Sequence, residues 1–211
     1  MLVKVLLVDD HAVVREGYRR LLERTADIQV IAECEDADEA YRAFCNLAPD
    51  VVVMDVNLPG ASGIEVTRRI TARDAAARVL VFSMHDDGMF VSRALQAGAR
   101  GYVTKASAPE VLVLAVRAVA DGKPYLSQDV AQQLALQSLP GQQLLPLKDL
   151  SPREFEVFRL LAEGRSVAEI AQVMCLSQKT VANHQSNIRQ KLDLTNNAQI
   201  IRLAMSYGLV S

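Results

Sequence analysis

The sequence predicts an α/β unit, a doubly wound five-stranded parallel sheet, followed by a small all-α unit built on a helix-turn-helix. Three observations carry that reading. Up to about residue 122, short Val/Leu/Ile runs alternate with amphipathic stretches, and strands apolar on both faces belong in a parallel sheet covered on both sides. Residues 123–147 break the rhythm with Pro124, Pro140, Gly141 and Pro146. From Ser151 onward, capping signals open short helices one after another and no strand pattern returns.

Taken in order, Lys4–Val8 reads as a strand and Ala12–Arg24 as a helix. Ile28–Cys34 is a weaker strand before a helix over Ala37–Leu47. Val51–Asp55 and Val79–Ser83 are strands, followed by helices over Gly63–Arg73 and Met89–Ala97. A short strand, Gly101–Thr104, precedes a helix over Pro109–Asp121. That last helix is apolar nearly all round, with Arg117 its only interior charge. One apolar stripe suffices to cover a sheet, so the second apolar face predicts contact with the tail or a second subunit, in preference to extra core packing. The stretch 123–147 reads as a linker, with a short helix over Gln128–Ser138 and then a flexible tether.

In the tail, Ser151-Pro152-Arg153-Glu154 is a helix start, with Ser as N-cap, Pro at N1 and Glu closing a capping box. That helix ends at Gly164. Ser166 to Glu169 is a second capping box, whose helix runs to about Met174. A turn over residues 175–178 leads to a helix over Lys179–Leu192. A last helix covers Ala198–Tyr207, with Gly208 as its stop.

Composition removes several classes. Half the 211 residues are apolar and 23% are charged, which excludes full-length disorder and a collagen-like fibre. No apolar run approaches the roughly 20 residues that span a bilayer, so no membrane association is expected. The apolar start MLVKVLLVDDH reads as a strand, not a signal peptide. Cys34, Cys45 and Cys175 lack metal-pair spacing and read as reduced, buried thiols of a cytoplasmic protein. Residues 1–122 carry 14 Lys+Arg against 18 Asp+Glu, and residues 148–211 carry 8 against 6. The front is therefore acidic and the tail weakly basic, as a nucleic-acid contact in the tail would require.

In an open α/β sheet, ligands bind outside the carboxyl ends of the strands. There the strands deliver Asp9 and Asp10, Asp55, Ser83 and, just past the fifth strand, Lys105. Three clustered carboxylates repel unless a cation neutralises them, and all-oxygen donors point to Mg²⁺. One carboxylate can then act as a nucleophile on a phosphoryl group. Lys105 would hold the phosphoryl oxygens as a point charge, and Ser83 would donate a hydrogen bond to them.

VLLVDDH, VVVMDVNLPGASG, VFSMHD and GYVTK, in that order, resemble the CheY-like receiver domain of two-component response regulators over roughly residues 1–122. The resemblance implies that Asp55 is the phosphoacceptor and a sensor histidine kinase its donor. It implies Mg²⁺ held by Asp10, Asp55 and the backbone carbonyl of Asn57, with Asp9 assisting through water. Ser83 and Tyr102 match the family's switch pair, a hydroxyl that moves to the phosphoryl group and an aromatic that turns inward after it. Pro59 and Gly60 shape the loop, Asn57 and His85 modulate the lifetime of the phosphate, and His11 reads as a helix-start residue.

LSPREFEVFRLLAEGRSVAEIAQVMCLSQKTVANHQSNIRQKL resembles the LuxR/FixJ/NarL type of DNA-binding helix-turn-helix, over about residues 148–207. Val181, Ile188 and Leu192 form the buried stripe of the second helix, with His184 at its edge. Lys179, Asn183, Ser186 and Gln190 lie opposite, flanked by Ala182 and Asn187. An amide-rich face can read base edges in double-stranded DNA, since Asn and Gln pair bidentately with adenine. Lys179, Thr180 and Lys191 read as phosphate contacts that set register. Ala182 stands where the family often has lysine, and residues 195–197 are uncharged where it usually has arginine. Few phosphates can be neutralised, so binding should be modest and salt-sensitive, and a homodimer on two half-sites would remedy this.

Together the parts resemble a NarL/FixJ-class response regulator controlling transcription, with 1–122 the receiver, 123–147 the linker and 148–211 the DNA-binding domain. SQDVAQQLALQSL and LAMSYGLV are similar to GacA/UvrY-like global regulators, which implies a hybrid sensor kinase as donor and small regulatory RNA genes as targets. Two other classes fit the sequence less well. An aspartate-nucleophile phosphohydrolase needs an acid two residues after the nucleophile, where this chain has Asn57. A DNA-binding protein gated by a diffusible ligand would need no strand-end acids. The chain is therefore not expected to be an enzyme.

Overall fold

The computed structural model describes residues 2–59, 61–86, 88–137, 147, 149–174, 176–206 and 209–210. The readings for Gly60, Ser138, Pro140, Gly141, Pro146, Cys175, Tyr207 and Gly208 lie outside the described residues. The chain divides into two compact units, Met1–Leu136 and Gln137–Ser211. Among the described residues no helix is long and apolar enough to cross a membrane.

The first unit runs β1 (Val3–Val8), α1 (Ala12–Glu23), β2 (Ile28–Cys34), α2 (Ala37–Leu47), β3 (Val51–Met54) and α3 (Gly63–Arg73). It continues through β4 (Val79–Ser83), α4 (Gly88–Gln96), β5 (Gly101–Thr104), α5 (Pro109–Ala120), β6 (Tyr125–Leu126) and α6 (Gln128–Gln137). All strands are parallel, in the order β2-β1-β3-β4-β5-β6. The chain reverses its direction of winding between β1 and β3, which opens the crevice at their carboxyl ends.

Strand residues alternate between two cores. Val3, Val5 and Leu7 of β1 join Leu22 of α1 and Leu112, Val116 and Val119 of α5. Leu6 and Val8 join Ala40 and Phe44 of α2 and Val66 and Ile70 of α3. Burying each of these larger aliphatic side chains contributes about 1.5–3 kcal/mol.

Three features differ from the sequence reading. The sheet has six strands, not five: Tyr125–Leu126 pairs with Gly101 and Tyr102 at the edge of β5. Two residues are too few to show a strand period, and only the waiting edge of β5 makes them one. The second apolar face of α5 is largely core packing. Leu112, Val113, Ala115, Val116, Val119 and Ala120 all enter one cluster, and of its large apolar side chains Leu114 stays open, at 54% exposure. Third, β2 carries a bulge against β1. Val5 pairs with Val30, but Leu6 pairs with Ala32 and Leu7 with Glu33. The skipped residue turns Glu33 onto the face that α1 and α5 cover.

The second unit comprises α7 (Pro152–Ala162), α8 (Val167–Val173), α9 (Gln178–Lys191) and α10 (Asn197–Ser206). Both capping boxes form, Ser151 with Glu154 and Ser166 with Glu169. Ser177 caps α9 through Thr180 N–H. Gly164 follows α7 with φ +82°, the left-handed conformation that suits a C-terminal glycine. Phe155, Phe158, Leu161, Ile170, Val181, Ile188, Ile200 and Ala204 are buried.

Candidate functional site

The carboxyl ends of β1, β3 and β5 bring Asp9, Asp55 and Lys105 together. Lys105 Nζ donates to Asp9 Oδ2 and to Asp55 Oδ2, each at 2.6 Å. Asp9 is 2% exposed and Asp55 4%. Burial pushes the Asp55 carboxyl above its ordinary pKa, and the opposing Lys105 charge does not cancel that push. Burial pulls Lys105 down, but the charges and hydrogen bonds of Asp55 and Asp9 outweigh it, so its pKa is raised and the ammonium is held.

The main chain fixes these groups. Asp55 N–H donates to Val8 carbonyl at 3.0 Å, and Asp9 N–H to Cys34 carbonyl at 3.1 Å. Asn57 N–H lies 3.4 Å from Asp55 Oδ1, and His11 N–H donates to Asp9 Oδ1 at 2.9 Å. Gly63, the first residue of α3, backs directly onto Asp55. A Cβ there would stand 1.8 Å from the Asp55 carbonyl oxygen, so only glycine fits.

Asp9, Asp10 and His11 offer donor atoms within 4.8 Å of one another. Asp10 Oδ1 is buried and pairs with His11 Nδ1 at 2.6 Å. His11 is the N-cap of α1 and its side chain makes no capping bond.

The β4–α4 loop converges on His85. Its N–H donates to Ser83 Oγ at 3.3 Å, and its carbonyl accepts from Tyr102 OH at 2.6 Å. Its Nε2 lies 3.1 Å from Asn57 Oδ1, and its ring stacks on Phe90 at 4.2 Å. The two residues read from sequence as modulators therefore touch each other. Tyr102 is fully buried, its ring already turned inward. Sequence reasoning missed Gly63 and, beside Asp9, Arg15. A glycine opening a helix and an arginine in an amphipathic helix carry no mark of what they meet across the fold.

In the second unit, Val181 and Ile188 are buried, as expected, while Leu192, read as part of the same buried stripe, is half-buried. Lys179, Ala182, Asn183, Ser186, Asn187 and Gln190 are exposed on α9. Thr180 is half-buried, and its Oγ1 lies 2.8 Å from Ser177 Oγ at the helix cap. Lys191 is drawn away from the open face, because its Nζ donates to Glu154 Oε2 at 2.7 Å and to Asp149 carbonyl at 3.1 Å. His184 is half-buried, its Nδ1 lacks a partner, and burial lowers its pKa.

Comparison with known proteins follows the same division. Residues 5–117 match the family described as "Response regulator receiver domain", and residues 148–204 that described as "Bacterial regulatory proteins, luxR family". Response regulator UvrY of Escherichia coli is 36% identical over 209 residues, covering 99% of this chain and 96% of its own. Response regulator GacA of Pseudomonas aeruginosa is 38% identical over 210 residues, covering 99% and 98%. Transcriptional activator protein ExaE of Pseudomonas putida is 41% identical over 208 residues, covering 98% and 97%. A LuxR-family two-component response regulator from Aurantimonas superposes with a TM-score of 0.64 at 50% identity, over 65% of this chain and 98% of that one. RcsB from Salmonella enterica serovar Typhimurium, solved bound to a promoter with the phosphomimetic BeF₃⁻, gives 0.67 at 29% identity, over 98% and 100%. With both units matched in order and relatives aligned end to end, the chain belongs to the response regulators that join a receiver domain to a luxR-family regulatory domain.

Proposed function

We propose that Asp55 accepts a phosphoryl group from a sensor histidine kinase and that this event controls DNA binding by the second unit. The observation that carries the reading is Lys105 Nζ at 2.6 Å from both Asp9 and Asp55, at the ends of three strands. In the transfer, an Asp55 carboxylate oxygen forms the new O–P bond as the P–N bond of the donor phosphohistidine breaks. The electron pair leaves on the imidazole nitrogen, which takes up a proton. Lys105 holds the phosphoryl oxygens as a point charge. Ser83 Oγ accepts from His85 N–H, which leaves its own O–H able to donate to them. Asn57 cannot act as a general acid, which argues against a phosphohydrolase and for a regulator whose own aspartate is the substrate.

The donor set fits a hard cation: it is made of carboxylate oxygens, with those of Asp9 and Asp10 within 4.8 Å of each other. Asp9, Asp10, Asp55 and the Asn57 carbonyl would hold Mg²⁺, which neutralises carboxylate and phosphoryl charge when bound. Asn57 and His85, in mutual contact beside Asp55, would set how long the phosphate lasts, and Ser83 with Tyr102 would form the switch.

On α9 the exposed Ala182, Asn183, Ser186, Asn187 and Gln190 would face base edges, with Lys179 and Thr180 on phosphates. Lys191 joins them only by leaving Glu154. The working division is receiver 1–122, linker 123–147 and DNA-binding domain 148–211. Because β6 pairs with β5, the start of that linker is part of the sheet. The likeness to GacA and UvrY supports a cytoplasmic homodimer acting as a global regulator, with small regulatory RNA genes as targets.

The test is incubation with acetyl phosphate and Mg²⁺, followed by intact-mass measurement and DNA binding for wild type and Asp55→Asn. One labile adduct is expected in wild type only, with tighter DNA binding only where it forms. An adduct that persists in Asp55→Asn, or DNA binding indifferent to it, would remove the reading.

A further inference from the structure

We propose that Arg15, anchored by Glu33, is a positioning residue for the divalent cation: it fixes the turn that presents Asp9 and Asp10. This rests on the Mg²⁺ reading above. Arg15 Nη1 donates to the Asp9 backbone carbonyl at 2.5 Å, and Arg15 Nε to Glu33 Oε2 at 3.2 Å. The other Glu33 oxygen accepts from Arg19 Nη1 at 2.8 Å. The Arg15 side chain is 14% exposed and that of Glu33 24%, so the fork is largely withdrawn from solvent. Asp9 is thus pinned on both sides of its Cα, its N–H by Cys34 carbonyl and its carbonyl by Arg15.

The β2 bulge is what makes the anchor possible. With regular pairing Glu33 would stand opposite Val8, on the face packed by Ala40 and Phe44. The skipped residue sets it opposite Leu7, on the face of α1, where Arg15 and Arg19 lie one turn apart. An irregular strand and a half-buried guanidinium therefore converge on one carbonyl, that of the residue whose carboxylate faces Lys105 and whose neighbour is Asp10.

A plain strand-to-helix staple would use the same contacts, and the two roles separate by sign. Arg15 is a cation beside an acidic site. By charge alone its removal tightens Mg²⁺ binding, and its replacement by lysine changes nothing. As a positioning residue its removal weakens binding, and lysine, a point charge without the planar fork, does not restore it. Loss of a partner that orients metal ligands costs about 10–100-fold in metal affinity.

The experiment is calorimetric titration of Mg²⁺ into the full-length protein, wild type, Arg15→Gln, Arg15→Lys and Arg19→Gln, each first shown folded by circular dichroism without metal. Weakening of about tenfold is expected for both Arg15 variants, and less than twofold for Arg19→Gln, which shares Glu33 but does not touch Asp9. Should Arg15→Gln fail to fold, Arg15→Lys decides alone. Arg15 variants that bind Mg²⁺ as tightly as wild type, or more tightly, overturn the assignment and leave the metal reading intact. Wild type that takes up no Mg²⁺ overturns the metal reading, and this assignment with it.

Discussion

Gly63→Ala puts a single methyl group between α3 and the backbone that carries Asp55. Its carbon would stand 1.8 Å from the Asp55 carbonyl oxygen, 2.8 Å from the carbonyl carbon and 3.1 Å from Met54 Cγ. A carbon and a carbonyl oxygen approach to roughly 3.3 Å, so something must move by about 1.5 Å. Neither side is soft. Asp55 N–H is bonded to β1, Gly63 N–H donates to Val56 carbonyl at 2.8 Å, and Ser62 caps α3 through Ile64 N–H. Overpacking of this kind costs about 1–3 kcal/mol, or roughly 3–10 °C of melting temperature. Helix propensity predicts the opposite sign, with alanine favoured by up to about 1 kcal/mol. A displacement of about 1 Å at a reacting group can slow chemistry about 100-fold, so modification by acetyl phosphate should fall with stability. Thermal melts and timed intact-mass measurements read both effects. A variant as stable as wild type and modified at the same rate would refute the steric argument.

Four other outcomes follow from the structure. Asp55 has a raised pKa, so the stability it contributes is full below the ordinary carboxylate value of 3.8 and lost as pH rises through the folded value. Asp55→Asn should therefore melt higher than wild type at pH 7.5 without Mg²⁺, with the gain shrinking toward pH 4; a lower melting point at pH 7.5 contradicts this. Burial pushes Glu154 up, but hydrogen bonds from Lys191 and Ser151 pull harder and hold it below its ordinary 4.5. The stability it adds is present above 4.5 and lost as pH falls through the lowered value, so Glu154→Gln should flatten the acid-side loss in melts of the second unit between pH 6 and 3. Ser151→Ala should cost about 1 kcal/mol of that unit's stability by removing the cap, read by denaturant titration. Cys34, pushed up to about 12 by burial, stays a thiol at pH 8. Iodoacetamide mapping of the native protein should leave it unlabelled while half-buried Cys45 reacts.

The chain shows in its letters whatever depends on neighbours in sequence. Runs such as Val51–Met54 announce buried strands, and Ser151 with Glu154 announces a cap because both partners lie within one turn. Asp9, Asp55, Ser83 and Lys105 were legible because strand ends share an edge of a parallel sheet, so topology alone brings them together. What stayed hidden depends on residues far apart. Nothing near Gly63 reveals the carbonyl behind it, and nothing in Ile28–Cys34 reveals the bulge that turns Glu33 toward Arg15. Lys191 looked like a phosphate contact because a lysine at the end of a reading helix faces outward by default. Glu154, 37 residues earlier, supplies a closer anion.

The bonds at His85 say how an event at Asp55 can leave the site. Both polar groups of its backbone are held by side chains from two strands, Ser83 of β4 and Tyr102 of β5, and its ring nitrogen faces Asn57, two residues from the acceptor. The Ser83 main chain cannot follow a phosphoryl group far, because its carbonyl accepts from Lys105 N–H at 2.8 Å. Its side chain can rotate. Rotation lengthens the bond to His85 N–H, already 3.3 Å, while the Tyr102 bond to the carbonyl, at 2.6 Å, holds. The loop would then pivot on Tyr102. Tyr102 is also paired with Leu126 of β6, and its carbonyl accepts from Ser127 N–H at 3.0 Å, so the pivot is bonded directly to the segment that leads out of the sheet. A change at the Asp55 carboxylate would thereby reach residues 126–127 through three hydrogen bonds and the Tyr102 ring.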